Sequence, residues 1–164
     1  YRGASPVESA ILNGDTSTGI TIQKMALKMD SGPIITQEEV EILPDEKAPD
    51  LRKRLIKIGA ELLVKILPEL VAGKTKAVPQ NEQEATYTKY MKKSDGFIDL
   101  NNPPSPQNLN RMIRAYFPWP SVWFRTEING KKVLLKLLPE GKIQVEGKNP
   151  MSYKDFLRGN KKLC

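Results

Sequence analysis

The chain has 164 residues, 39% hydrophobic and 27% charged, a balance that fits one ordinary domain or two small ones and excludes a disordered chain. It has no His and one Cys, which excludes an intrachain disulfide, a zinc site built on His or paired Cys, and any Ser-His-Asp or Cys-His nucleophile within these residues. The net charge of +7 is uneven: residues 1–79 hold 11 basic and 11 acidic side chains, and residues 80–164 hold 15 and 8. A neutral stretch joined to a basic one predicts two modules, the second facing a polyanion, with a solvated basic face as the competing reading. The most apolar run, 60–72, is broken by Glu61, Lys65, Pro68 and Glu69, short of the about 20 residues a membrane span needs. With no leader pattern and one Cys, a cytoplasmic protein without a membrane partner is expected. Tyr1 in first place suggests a start within a longer protein.

In chain order, Ser5-Pro6 opens a short helix over 5–12 that Asn13-Gly14-Asp15 ends. Residues 19–25 alternate and are β-branched, predicting a strand; Met29-Asp30-Ser31-Gly32-Pro33 predicts a tight loop, and 34–42 a second strand. Over 48–73, Leu51, Leu55, Ile58, Leu62, Ile66 and Leu70 form one stripe of a long core helix, which Pro68 should kink or end. Periodicity is then lost, so 80–93 reads as a linker between a domain at 1–79 and a domain at 94–164. Ser105-Pro106 caps a helix to Tyr116 with Leu109, Met112 and Ile113 inward, and Phe117-Pro118-Trp119-Pro120 reads as a rigid extended connection. Strands follow at 122–128, 132–138 and 142–146, the first two joined by the hairpin signal Asn129-Gly130. A helix followed by short hairpin-linked strands predicts a small β-barrel.

Several pieces carry a resemblance. Arg2-Gly3-Ala4-Ser5-Pro6, Ile11-Leu12-Asn13-Gly14-Asp15, Thr18-Gly19-Ile20-Thr21-Ile22 and Met29-Asp30-Ser31-Gly32-Pro33-Ile34 follow in one order at tight spacing. Together they resemble the second half of the catalytic domain of the folate-dependent formyltransferases. Asp95-Gly96-Phe97-Ile98-Asp99, the run from Asn110 to Tyr116, and Pro118-Trp119-Pro120 are similar to the C-terminal domain of the branch that acts on methionyl-tRNA. The resemblance implies α/β architecture followed by β: a remnant of a Rossmann-like open sheet, then a small OB-like barrel that faces tRNA.

It also implies a chemistry. The donor is 10-formyltetrahydrofolate, the acceptor is the α-amine of methionyl initiator tRNA, no metal takes part, and the complete enzyme is a monomer. The family's site holds an Asn, a His and an Asp; the first two lie ahead of the Arg-Gly motif, so only the Asp is expected here, at Asp30. A carboxylate there would hold the His protonated and oriented, and the Asn and His would stabilise the oxyanion. Asp-Ser-Gly-Pro alone is an ordinary turn sequence, so the neighbouring motifs are what single out Asp30. Arg2 and Gly3 are expected at the mouth of the folate and substrate cleft, against a competing reading of Arg2 as a surface residue beside a turn. Met25, Leu27 and Met29 are expected to line the pterin pocket, against a strand end packed into the core; Ala26-Leu27-Lys28 departs from the acidic or Gly-containing version of the family.

Candidate tRNA contacts are Lys89, Lys92 and Lys93 in the linker, Arg111 and Arg114 three apart on one helix face, and Lys131, Lys132 and Lys136 on the hairpin, with Lys161 and Lys162 at the tail. Trp119 and Trp123 have a stacking reading, but a Trp held between two prolines at a corner reads more readily as core. By the same resemblance the chain lacks the upstream Asn and His and is expected to be inactive alone, and an open sheet without its first strands is expected to be partly unstable or to associate. Transfer to a nucleotide sugar, or a non-catalytic RNA-binding module, are the alternative readings.

Overall fold

Residues 48–71 form the longest element of the first half, and their stripe behaves as its spacing predicts. The computed structural model describes residues 1–160, so Lys161, Lys162 and Cys164 lie outside the described residues. The chain divides into two compact units, Tyr1–Tyr90 and Met91–Cys164.

In the first unit, β1 (Arg2–Gly3) leads into α1 (Pro6–Asn13), whose Pro6 occupies the first turn and whose end is closed by Gly14 in the left-handed conformation. The strands β2 (Ser17–Gln23) and β3 (Ile34–Glu41) form an antiparallel hairpin, and α2 (Ala48–Val71) packs on β2 and α1. Leu51, Leu55 and Leu62 are buried with Ala10, Ile11 and Val40, and Gly59 lets Ile20 approach α2 where a Cβ would stand 2.9 Å from its Cγ1. The Glu8–Arg52 ion pair and the Glu46–Arg54 pair (2.7 Å) tie α2 to the segments on either side of the hairpin.

Three expectations change here. Pro68 does not end the helix at once; α2 continues to Val71, and the Gly73 N–H then bonds the Leu70 carbonyl. The first strand stops at Gln23 rather than Met25, because the Lys24 N–H turns to the Pro33 carbonyl (2.9 Å) and closes a loop. The expected connection at 80–93 is divided: β4 (Tyr87–Thr88) pairs in parallel with β1, so 80–90 is an integral part of the first unit.

The second unit opens with a 3₁₀ turn (Lys93–Gly96), then α3 (Pro106–Ala115), whose N-terminus is capped by the Ser105 hydroxyl accepting from the Asn108 N–H (3.2 Å). The strands β5 (Val122–Ile128), β6 (Lys131–Leu138), β7 (Lys142–Val145) and β8 (Met151–Ser152) pair in chain order as an antiparallel meander, followed by α4 (Tyr153–Gly159). Asn129 and Gly130 both have positive φ, 51° and 76°, as the two-residue hairpin turn demands. Leu135, Ile143, Val145 and Phe156 form the core of this unit. On the outer side of β5, Phe97 bridges to Trp123 and the Ile98 N–H bonds the Trp123 carbonyl (3.0 Å). Among the described residues the ladders join β5 to β8 only through β6 and β7. Residues 117–120 are a tight turn rather than an extended connection, closed by the Ser121 N–H on the Tyr116 carbonyl (2.8 Å) and the Ser121 hydroxyl on the Pro118 carbonyl (2.6 Å). No helix among the described residues is long and apolar enough to cross a membrane.

Candidate active site

Asp30 sits on the loop between β2 and β3, in the left-handed conformation at φ 51°, a state that Asp adopts more readily than most residues. Its Oδ2 accepts from the Gly3 N–H at 2.8 Å. Gly3 itself has φ 114°, and a Cβ there would meet the Thr88 carbonyl oxygen at 2.8 Å, so only Gly lets this backbone reach both Asp30 and β4. The loop is closed at its base, where Gly32 lies so near the Lys24 carbonyl that a Cβ would fall 1.7 Å from its oxygen. The juxtaposition of Gly3 and Asp30, 27 residues apart, is therefore built by two close backbone approaches.

Gln80 organises the far side. Its amide nitrogen is within hydrogen-bond distance of Gln23 Oε1 (2.8 Å), the Asp30 carbonyl (2.9 Å) and the Gly32 carbonyl (2.7 Å). Its oxygen accepts from Arg2 Nε and Nη2. Arg2 also donates to Tyr87 and Glu82, so a guanidinium only 6% exposed spends four hydrogen bonds inside the protein. Four hydrogen bonds to Gln80, Tyr87 and Glu82 thus hold the guanidinium expected at the cleft mouth. Arg2 is not a surface residue.

Glu82 bridges Arg2 (2.8 Å) and Lys28 (2.7 Å). Hydrogen bonds first from Arg2 and then from Lys28 hold its carboxyl down at about 2, well below the ordinary carboxylate range. The same donors lower the Tyr87 hydroxyl, and Glu82 raises both cations in turn. Met25, Leu27 and Met29 stand on this loop with their side chains exposed, so none of them is a strand end packed into the core.

Gln80, Glu82, Tyr87 and Thr88 were not singled out by sequence. They lie in a stretch without periodicity, and the one local signal was the β-branched and aromatic run Thr86-Tyr87-Thr88.

The basic candidates are scattered. Lys89 is exposed at the end of the first unit, where its carbonyl accepts from the Ser5 hydroxyl (2.9 Å). Lys92 and Lys93 open the second unit. Arg111 and Arg114 lie half-buried on α3, with Arg114 Nε donating to Asn110 (2.9 Å). Lys131 and Lys132 are exposed at the turn end of the β5–β6 hairpin. Lys93 and Lys136 are brought together around Trp123. Trp119, read by sequence as core, is 54% exposed. Among the described residues no group of three or more Asp, Glu, Cys or His is arranged to hold a metal.

Comparison with known proteins gives this geometry its class. Residues 1–67 match the family described as formyl transferase, a match that includes Arg2, Gly3 and Asp30. This stretch belongs to the formyltransferase family, and the similarity to its members runs on beyond it. Among its curated relatives, the methionyl-tRNA formyltransferase of Chloroflexus aurantiacus is 46% identical over 123 residues, 75% of this chain and 39% of its own length. That of Koribacter versatilis is 36% identical over 156 residues, 91% of this chain and 49% of its own length. The chain thus spans two fifths to a half of the relatives it matches. A solved 4-N formyltransferase from Francisella tularensis superposes with a TM-score of 0.69 at 28% identity, covering 85% of this chain and 57% of that one.

Proposed function

We propose that these residues belong to an enzyme that moves a formyl group from 10-formyltetrahydrofolate to the α-amine of methionyl initiator tRNA. The observation that carries the reading is the bond from the Gly3 N–H to Asp30 Oδ2, which fixes one carboxylate oxygen inside the stretch that matches the formyl transferase family. The amine attacks the formyl carbon, a tetrahedral oxyanion forms, the bond to N10 of the folate breaks, and the proton lost by the amine ends on the departing N10. With Oδ2 held by the backbone, the remaining oxygen of Asp30 is left to hold the imidazole of the family's His charged and oriented, so that this His and an Asn stabilise the oxyanion. Arg2 and Gln80 are positioning residues for this carboxylate. Met25, Leu27 and Met29 offer apolar surface to the folate.

The second unit, 91–164, carries 14 Lys and Arg against 6 Asp and Glu and supplies the attraction for the tRNA backbone. We read it as an OB-like module whose hairpin-linked strands are flanked by the Phe97 bridge. Since the 164 residues contain no His, they are inactive by themselves.

The test joins this chain behind the first half of the Chloroflexus relative and measures formylation of methionyl-tRNA, beside binding of the 164 residues to the same tRNA across a salt titration. Turnover by the joined protein only, with affinity falling steeply as salt rises, is expected. Absence of both overturns the reading. The likeness of the Francisella 4-N formyltransferase across 85% of the chain favours one competitor, transfer to an amino-sugar nucleotide, and turnover of such an acceptor instead would establish it.

A further inference from the structure

The strands of the second unit sort their side chains by alternation. Phe124, Leu135, Leu137 and Ile143 turn to the core, while the opposite face carries Trp123, Lys136 and Gln144 in one cross-strand row. A groove of about 310 Å³ lies over that row, walled by Trp119 and Lys93 and rimmed by Glu146. The two indoles differ in how they are held. Trp123 is pinned: its Nε1–H donates to the Lys93 carbonyl (2.9 Å), and its ring packs on Phe97 with centroids 4.9 Å apart at 54°. Trp119 stands on the tight turn and leaves more than half of its surface to solvent. The Lys93 ammonium lies 5.7 Å from the centre of the Trp123 ring. Among the described residues neither Lys93 nor Lys136 has an ion-pair partner.

A large exposed indole beside unpaired ammonium groups matches one ligand chemistry better than others. An acidic peptide would use the lysines and leave the flat apolar surface wet; an apolar ligand would use the indoles and leave the charges. A nucleotide uses both, the base on the rings and the phosphate at the cations. Glu146 and Gln144 also line the groove, with Gln144 Nε2 donating to the Lys148 carbonyl (2.9 Å).

We propose that this groove binds an unpaired nucleotide of RNA, its base against Trp119 and Trp123 and its phosphate at Lys93 and Lys136. The proposal rests on the reading of the second unit as RNA-facing and assigns that contact a place and a chemistry. It makes the basic charge of this unit a source of attraction and the groove a point of registration for a single-stranded segment.

The test titrates the 164-residue chain with single-stranded oligoadenylate of about eight nucleotides, a length suited to one such site, and with a duplex of equal length as control. Tryptophan fluorescence reads stacking directly. Saturable quenching by the single strand and little by the duplex is expected. Trp119→Ala weakens binding about tenfold and Trp119→Phe restores most of it; both variants fold, because the side chain is largely solvent-exposed. Lys136→Gln lowers the slope of log affinity against log salt by about 0.7, the loss of one single-strand phosphate contact. An unquenched spectrum, or Trp119→Ala binding as tightly as the parent, overturns the groove assignment. Methionyl-tRNA that binds Trp119→Ala undiminished overturns the groove and leaves the tRNA reading intact. Oligoadenylate bound through Trp119 with no affinity for tRNA supports the groove and removes tRNA as the acceptor.

Discussion

Asp30 and Glu82 are two carboxylates held in different ways. Asp30 has one oxygen tied to the backbone of Gly3, and the proposed function gives the other to a His. In the joined protein, Asp30→Asn is expected to lower formylation by about 10²-fold or more while the melting temperature stays within a few degrees, because the amide keeps the bond to Gly3 and loses the charge. Near-normal turnover would take Asp30 out of the mechanism. Glu82 is spent internally between Arg2 and Lys28. Its carboxyl at about 2 lies below its value in the unfolded chain, so the unfolded form binds more protons as acid is added. The stabilisation is complete above the ordinary carboxylate range and is lost as pH falls toward 2. Half of the Glu82 side chain is exposed, so salt weakens the effect. Carbon-detected NMR of this carboxyl should titrate near 2, and Glu82→Gln should flatten the stability profile between about pH 4.5 and 2. A Glu82 that titrates near 4.5 would mean the bridge is not held in solution.

The loop at 24–33 shows how an element too irregular for periodicity is still determined. The Lys24 N–H bonds the Pro33 carbonyl, Gly32 lies against the Lys24 carbonyl, and Gln80 bonds both Asp30 and Gly32 from the other side. Gly32→Ala forces a methyl into backbone that cannot yield cheaply, so a loss of about 1–3 kcal/mol is expected, read as a lower denaturant midpoint. Hydrogen exchange at the Lys24 amide should accelerate in the same variant; unchanged protection there would show that the loop closes by other contacts. The elements visible in the sequence were those with local causes. The stripe from Leu51 to Leu70 predicts α2, Ser105-Pro106 predicts the start of α3, and Asn129-Gly130 predicts the hairpin. β1, β4 and β8 escaped because two residues carry no period, and each forms only when its partner arrives from elsewhere in the chain.

The two units differ in what they leave unsatisfied. The first leaves apolar surface: on the outer side of α2, Ile56, Leu63, Val64, Leu67 and Val71 are each at least 44% exposed. A contiguous patch of this kind drives association. Concentration-dependent association of the 164 residues is expected in sedimentation velocity, and the double change Leu63→Lys with Leu67→Lys should abolish it without lowering helix content. A monomer at all concentrations would show that this face is tolerated in water. The second unit leaves charge and exposed aromatic rings, the features on which the proposed nucleotide contact rests.

What the sequence determined by itself follows from short-range physics and from motif order. A repeat of 3.6, a hydroxyl ahead of a proline and a pair of residues that accept positive φ need no distant partner, and the ordered motifs pointed to the family. Only the tertiary structure decided the use of the rest. Arg2 stood out in its motif, yet its burial as an internal clamp depends on Gln80, Glu82 and Tyr87, roughly eighty positions away, whose polar side chains show no pattern until the chain brings them together. Trp119 between its prolines had the composition of a core residue. It stands in solvent because the turn at 117–120 and the alternation of β5 turn the indoles away from the core around Phe156, and facing is a property of the assembled sheet rather than of any window of sequence.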